Sequence, residues 1–379
     1  MIVHAMRPAS GRPPVSPADL LGRGYDTVYS PTARQLVAGK RVLVTGAGGS
    51  IGSELVRQLQ GLGAGVVFRL DHDEAALHSL QMELEGNGLL NDDRIVLADI
   101  RDRGTLGRIL QGIKPDIVYH AAAHKHLPLL ERHPDEGVKT NVLGTSNVVS
   151  AAVAAGVSRF VNVSTDKAAR PTSVLGSTKR LAEMVVSSYA GGGTRVASVR
   201  FGNVLGSRGS FLQSLSWQVA HARPVTITDE AVTRYFMTIP EAAGLVIEAS
   251  VMAQGGETYV LDMGEPVRIV DLVHRYVTLS GSPEPEISYT GLRPGEKLHE
   301  ELLDGAERCQ VTAHPRIWCV RADQAVEPSF RERVKALAGL AESGNHRYLL
   351  AELQALLPEQ HGTTVPAPRG HSSQTVEVA

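Results

Sequence analysis

Three consecutive residues, Thr165, Asp166 and Lys167, place a hydroxyl, a carboxyl and an amine directly after the apolar run at 159–164. Such a trio can donate and accept protons at neighbouring atoms of a bound molecule, which is what general acid–base catalysis requires. The bland reading of Asp166–Lys167 is a surface ion pair in a loop. Against it stands the position, at the strand end where parallel α/β sheets bind ligands. A second signature is the turn TGAGGSIG at 45–52. Gly46, Gly49 and Gly52, between a strand and a helix opening at Ser50 and Ile51, let the backbone approach a pyrophosphate whose charge the helix N-terminus stabilises. Asp71 ends the next apolar run. A carboxylate there accepts from both ribose hydroxyls of an adenosine and repels a 2′-phosphate, so NAD is expected rather than NADP. The alternative role for Asp71 is a helix cap. Arg69 does not rescue NADP, because alternate strand residues face opposite ways.

The elements that must position these groups alternate regularly. Apolar strands are expected at 41–45, 66–70, 94–98, 116–120, 159–164 and 195–201. Helices are expected at 50–62, 75–85, 106–113, 136–155 and 177–189. Strands apolar throughout, separated by helices, predict a doubly wound parallel α/β sheet of the Rossmann type. After about Gly202 the alternation breaks down and Gly and Pro punctuate the chain, predicting a smaller, mixed C-terminal substrate domain. The domains are expected as an N-terminal arm at 1–38, a nucleotide-binding domain at 39–204, a mainly substrate-binding domain at 205–357 with segments returning to the sheet, and a disordered tail at 358–379. On this scaffold the cofactor contacts are expected from Gly46, Gly49, Ser50, Ile51, Gly52, Asp71, Asp99, Ile100, Ala121, Ala123 and Asn141, with Asp99 at the adenine edge and the alanines leaving room past the fourth strand.

The 379 residues, 42% hydrophobic and 21% charged, suffice for two cored domains and exclude a disordered chain. With 38 Lys plus Arg against 40 Asp plus Glu, no basic footprint for nucleic acid exists. The two cysteines, Cys309 and Cys319, form no CxxC pair, which argues against a disulfide scaffold and for a reducing compartment. No apolar run reaches the length of a spanning helix and the start lacks a signal core, so no membrane partner and a cytoplasmic location are expected. His120, His124 and His126 lack a matching carboxylate spacing, and no metal is expected.

Longer stretches carry a resemblance. The glycine turn, HAAAHKHLPLLE at 120–131, STDKA at 164–168, RFGNVLGSRGS at 200–210, ITDEAVTRYFMTIPEA at 227–242, YVLDMGEPVRIVDL at 259–272 and GLRPGEKLHEELL at 291–303 resemble the extended short-chain dehydrogenase/reductase superfamily. Within it they look like the nucleotide-sugar 4,6-dehydratases of polysaccharide biosynthesis, the soluble part of the CapD-like proteins. The resemblance runs from about Leu20 to Arg321.

It implies a tightly held NAD and a UDP-linked hexose, UDP-N-acetylglucosamine above others. C4 is oxidised, water leaves across C5 and C6, and hydride returns to C6, giving a 4-keto-6-deoxy sugar nucleotide. In the resembling enzymes the Thr165-Asp166-Lys167 triplet carries the C5/C6 chemistry: Asp166 as the C6 acid with its pKa raised by burial, Lys167 as the C5 base with its pKa lowered. Lys179 is the lysine of the YxxxK motif and is expected at the nicotinamide ribose. The chain departs from that motif at Leu175, where Tyr is usual, so the C4 proton is expected to leave by Thr165, relayed through the ribose or a water toward Lys179. Members with Met at this position tend to retain C5 configuration, and Leu is closer to Met than to Tyr. Arg293 and Glu296 match the UDP-binding segment; Arg suits a diphosphate because its fork makes paired charge-assisted bonds. Asn203 is expected at diphosphate or sugar oxygens, Thr226 and Arg234 at the uracil or phosphate end, Lys125 and His126 facing the sugar. A surface salt bridge is the alternative for Arg234. Related folds pair through helices near the YxxxK segment, so a homo-oligomer is expected. The competing readings are a 4-epimerase on the same scaffold and a non-catalytic NAD-binding protein.

Overall fold

Runs that are apolar on both faces must be covered on both faces. In the computed structural model, which describes residues 15–23, 28–305, 307–321, 327 and 329–358, they pair edge to edge. β1 (Arg41–Thr45), β2 (Val66–Asp71), β3 (Ile95–Leu97), β4 (Ile117–His120), β5 (Arg159–Val163) and β6 (Arg195–Arg200) are parallel, in the order β3-β2-β1-β4-β5-β6. The order reverses between β1 and β4, the point where such sheets open a crevice at their carboxyl ends. Residues alternate between two cores. Val42 and Val44 pack with Leu55, Leu59 and Val246 on one face, and Leu43 packs with Leu106, Val149 and Leu181 on the other.

Three segments of the C-terminal half complete the nine-stranded sheet: Glu257–Leu261 parallel to β6, then Ile317–Arg321 and Arg308–Val311 antiparallel. The remaining short strands make a separate lobe. Val225–Ile227 pairs with Ile287–Tyr289, and Thr233–Arg234 with Val267–Arg268. Its core holds Leu215, Val225, Phe236, Leu272 and Val273. The described part of the N-terminal arm is docked. Leu20, in the helix Pro17–Leu21, is fully buried in this lobe, while Ala33 and Val37 join the first core. Residues 1–14 of the arm, and the tail from 359 on, lie outside the described residues.

Two regions differ from expectation. The helix expected at 136–155 is broken into Pro134–Gly137, a π-helical segment Val138–Gly144 and Thr145–Ala154. Local hydrogen bonds explain it: Thr145 Oγ1 donates to the Asn141 carbonyl at 2.7 Å, and the Asn141 amide grips the His124 backbone N–H and carbonyl. π segments of this kind recur at functional sites.

The second difference is at the C-terminus. Helices Phe330–Glu342 and His346–Ala355 pack on the Rossmann half, with Val334, Leu337, Leu349 and Leu353 buried among Val142, Leu181 and Val185. Gln354 Nε2 donates to Ser177 Oγ at 3.3 Å. The helices near the YxxxK-like segment, through which pairing between copies was expected, are thus covered by the chain's own hairpin.

Candidate active site

The glycine turn is built by backbone crowding. Gly46 has φ 68°, and a Cβ on it would stand 2.6 Å from the Ala122 nitrogen; a Cβ on Gly52 would stand 2.0 Å from the Gly46 carbonyl oxygen. Only glycine allows the helix Ser50–Gly61 to start this close to β1. The adjoining cavity is lined by Gly46, Gly49, Asp71, Asp99, Ile100, Ala121 and Ala123 among others, so the structure brings together seven of the expected cofactor positions. Asp71 is buried and accepts from the Gly48 N–H at 2.9 Å and the Asp73 N–H at 3.1 Å. The helix cap is Asp73, not Asp71. Arg69 turns into the core toward Gln81 and Glu85, away from the position a 2′-phosphate would take.

These features fit a dinucleotide. The glycine cradle leaves space a side chain would fill, an acid closes β2, and Thr140 lines the cavity with a buried hydroxyl that has no partner. Asn141 corrects one expectation. It is fully buried and committed to His124 and Thr178, so it shapes the wall while its neighbour Thr140 faces the cavity.

At the carboxyl end of β5, Thr165 Oγ1 donates to Asp166 Oδ1 at 2.8 Å, and Lys167 Nζ reaches the same oxygen at 3.0 Å. Asp166 is 1% exposed and its Oδ2 has no partner. The surface-ion-pair reading therefore does not describe this pair. The loop is anchored from behind: Ser164 Oγ donates to Glu183, and the fully buried Arg200 forks onto Glu183 and Glu307. Lys179 lies on the same helix as Glu183, is 6% exposed and donates to the Val163 carbonyl at 2.6 Å. Burial pushes its pKa down to about 8.

Lys167 reverses the expected direction. Burial alone lowers an ammonium's pKa, but the carboxylates of Asp166 and Glu300 outweigh it and raise Lys167 above its usual value. The Thr165 hydroxyl is engaged with Asp166, and no direct hydrogen bond joins Thr165 to Lys179 among the described residues. Leu175, where Tyr is usual, is buried against Leu127, Leu130 and Val174.

On the lobe side, Arg234 is 6% exposed, which removes the surface-salt-bridge reading. Its guanidinium contacts Glu296 at 2.8 Å, and Arg293 holds the same carboxylate at 3.0 Å. Burial works against the charge of Glu296, but these arginines, Arg293 foremost, hold its pKa below the usual value. Asn203 Oδ1 meets Lys167 Nζ at 3.4 Å. Lys125 and His126 are exposed and border the next loop, Lys125 through Ser207 and His126 beside Gly209. Thr226 is not brought to this cluster; it is exposed and pairs with Gln218, while Thr228 reaches Glu296. His120 has both ring nitrogens engaged, with Thr45 and Thr145, and burial pushes its pKa down to about 3. No group of side chains able to hold a metal occurs among the described residues.

Sequence reasoning missed Gly48, whose Cβ would stand 2.5 Å from the Ala76 Cβ, and Arg208, which donates to the Gly48 carbonyl across the turn. It also missed Glu300. Gly48 was legible as a further glycine of the turn; Arg208 and Glu300 depend on distant chain and had no local signal.

A family model described as polysaccharide biosynthesis protein matches residues 42–322. The chain is 43% identical over 343 residues to the probable polysaccharide biosynthesis protein EpsC of Bacillus subtilis, covering 89% of this chain and 57% of that protein. It is 44% identical to the capsular polysaccharide biosynthesis protein CapD of Staphylococcus aureus, covering 82% and 52%. The chain thus spans little more than half the length of these two relatives. A Campylobacter jejuni UDP-N-acetylglucosamine 4,6-dehydratase (inverting) is 31% identical, covering 70% of this chain and 78% of that one. Among solved structures, Pen from Bacillus thuringiensis aligns with a TM-score of 0.68 at 31% identity, covering 76% and 89%. The dTDP-glucose 4,6-dehydratase DesIV of Streptomyces venezuelae, solved with NAD, aligns with a TM-score of 0.60 at 26% identity, covering 70% and 88%. No helix among the described residues is long and apolar enough to cross a membrane.

Proposed function

We infer the activity from one premise: the chain belongs to the polysaccharide biosynthesis protein family. It is an extended short-chain dehydrogenase/reductase that binds NAD and acts as a nucleotide-sugar 4,6-dehydratase. Its substrate is UDP-N-acetylglucosamine, and the product is the 4-keto-6-deoxy sugar nucleotide with C5 configuration retained. The observation that carries this reading is the Thr165-Asp166-Lys167 cluster around the buried Asp166 at the end of β5, with Lys179 on the adjoining helix. A simple 4-epimerase has no use for a second acid–base pair.

NAD is held by the glycine turn and Asp71, and when bound it supplies the hydride acceptor for C4 and the hydride donor for C6. Lys179, with its pKa near 8, is matched to receive a proton around neutral pH. Lys167 as the free amine takes the proton from C5 once the C4 ketone has made it acidic. Asp166 in its acid form protonates the departing C6 hydroxyl, which leaves as water. The resulting Lys167 ammonium then returns its proton to C5. Leu175 cannot transfer a proton, so removal and return both fall to Lys167 on one face of the ring, which is the case for retention. Arg234 and Arg293 hold the diphosphate, and Glu296 fixes their forks.

Incubation with NAD and UDP-N-acetylglucosamine, followed by mass spectrometry, tests this. Loss of one water supports it, and deuterium at C5 from heavy water with unchanged configuration supports retention. Isomerisation without mass change favours the epimerase. Bound NAD with no turnover on UDP- and dTDP-sugars favours a non-catalytic protein.

A further inference from the structure

The acid–base loop has a neighbour that no motif assigns to it. The side chain of Glu300 is 3% exposed; its Oε1 stands 3.4 Å from Lys167 Nζ and 4.0 Å from Arg234 Nε. Arg293, Glu296, Arg234, Glu300, Lys167 and Asp166 thus form a line of alternating charge, with successive contacts of 3.0, 2.8, 4.0, 3.4 and 3.0 Å. A buried carboxylate persists only with a cation to answer it. Arg234 is already gripped by Glu296, so Lys167 is the nearer partner of Glu300.

We propose that Glu300 is a positioning residue for Lys167: its carboxylate fixes the amine between the acid–base loop and the arginine cluster and governs how readily that amine gives up its proton. The inference rests on the dehydratase reading of Lys167 and deepens it. Asp166 faces the amine from its own loop, Glu300 from the 296–301 segment and Arg234 from the strand Thr233–Arg234; Lys297 also faces Glu300. The two carboxylates prevail over the arginine and over burial. Lys167 must be emptied before it can accept the C5 proton, so removing one negative charge at 3.4 Å makes the amine available at lower pH.

The test is pulse labelling of the full chain with acetic anhydride across pH, followed by peptide mapping of Lys167. Glu300→Gln is expected to raise Lys167 labelling at pH 9 about tenfold over wild type, equivalent to a drop of about one pH unit in its titration. Glu300→Asp keeps the charge on a shorter arm, gives a smaller rise, and serves if the Gln variant does not fold. Equal labelling in all three proteins overturns the proposal. In turnover, Glu300→Gln should lower kcat with KM for the UDP-sugar within about twofold and move the acidic limb of the pH profile down; an unmoved limb overturns it. If wild type releases no water from any sugar nucleotide, the dehydratase reading fails while labelling still decides the role of Glu300.

Discussion

Lys179→Met separates the physical reading of the site from any assumption about substrate. Lys179 is 6% exposed, and burial brings its pKa from 10.5 down to about 8. A lysine depressed in this way binds its proton less well folded than unfolded. Between about pH 8 and 10.5 the unfolded chain therefore carries more protons, and stability rises with pH across that window. Below pH 8 the charged form is penalised by roughly 3 kcal/mol; at pH 10 about 1 kcal/mol of that remains. Methionine has similar length and no charge, so the variant lacks this term. Urea unfolding of cofactor-stripped wild type and Lys179→Met at pH 7 and pH 10 should show wild type gaining about 2 kcal/mol relative to the variant. Taking the difference between proteins cancels the other titrating groups. A difference that stays flat with pH, or that changes in the opposite sense, refutes the argument that this amine sits near neutrality for want of water.

Asp71→Ala should weaken NAD binding by about 30-fold, or ~2 kcal/mol, because a charge-assisted acceptor for the ribose is lost and the Gly48 N–H loses its partner; calorimetric titration measures it. Glu307→Gln leaves the fully buried Arg200 with half its counter-charge. The Arg200 guanidinium outweighs burial and holds the Glu307 pKa at about 2. Its contribution, about 3 kcal/mol, is present above pH 4.5 and lost as pH falls through 2, so denaturant melts of the two proteins should diverge at pH 7 and converge only at about pH 2 and below. A chain ended at 327 exposes the face of Val142, Leu181 and Val185 now under the hairpin, and sedimentation velocity should show self-association that the full chain does not display through that face.

The sheet and the candidate site stood in the sequence to different depths. β1, β2 and β4 to β6 were legible because a strand buried on both faces must be apolar at every position, whatever lies around it. The glycine turn was legible because a backbone passing within contact distance of another backbone admits no side chain, and Asp71 because it closes a strand at a fixed distance in the fold. The π segment at Val138–Gly144 was not, since it follows from Asn141 reaching His124 across a loop.

Local sequence thus determined which groups stand at the carboxyl ends of the strands. It could not determine their protonation. Lys167 was expected to be discharged by burial, yet the adjacent Asp166 at 3.0 Å, joined by Glu300 arriving from the distant lobe at 3.4 Å, keeps it charged. In the same way the hydrophobic face beside Leu181 called for a cover, but only the tertiary structure decided that the chain's own last helices provide it. Burial periodicity is written along one segment; electrostatic balance and the choice of packing partner depend on distances between segments, which the folded chain alone sets.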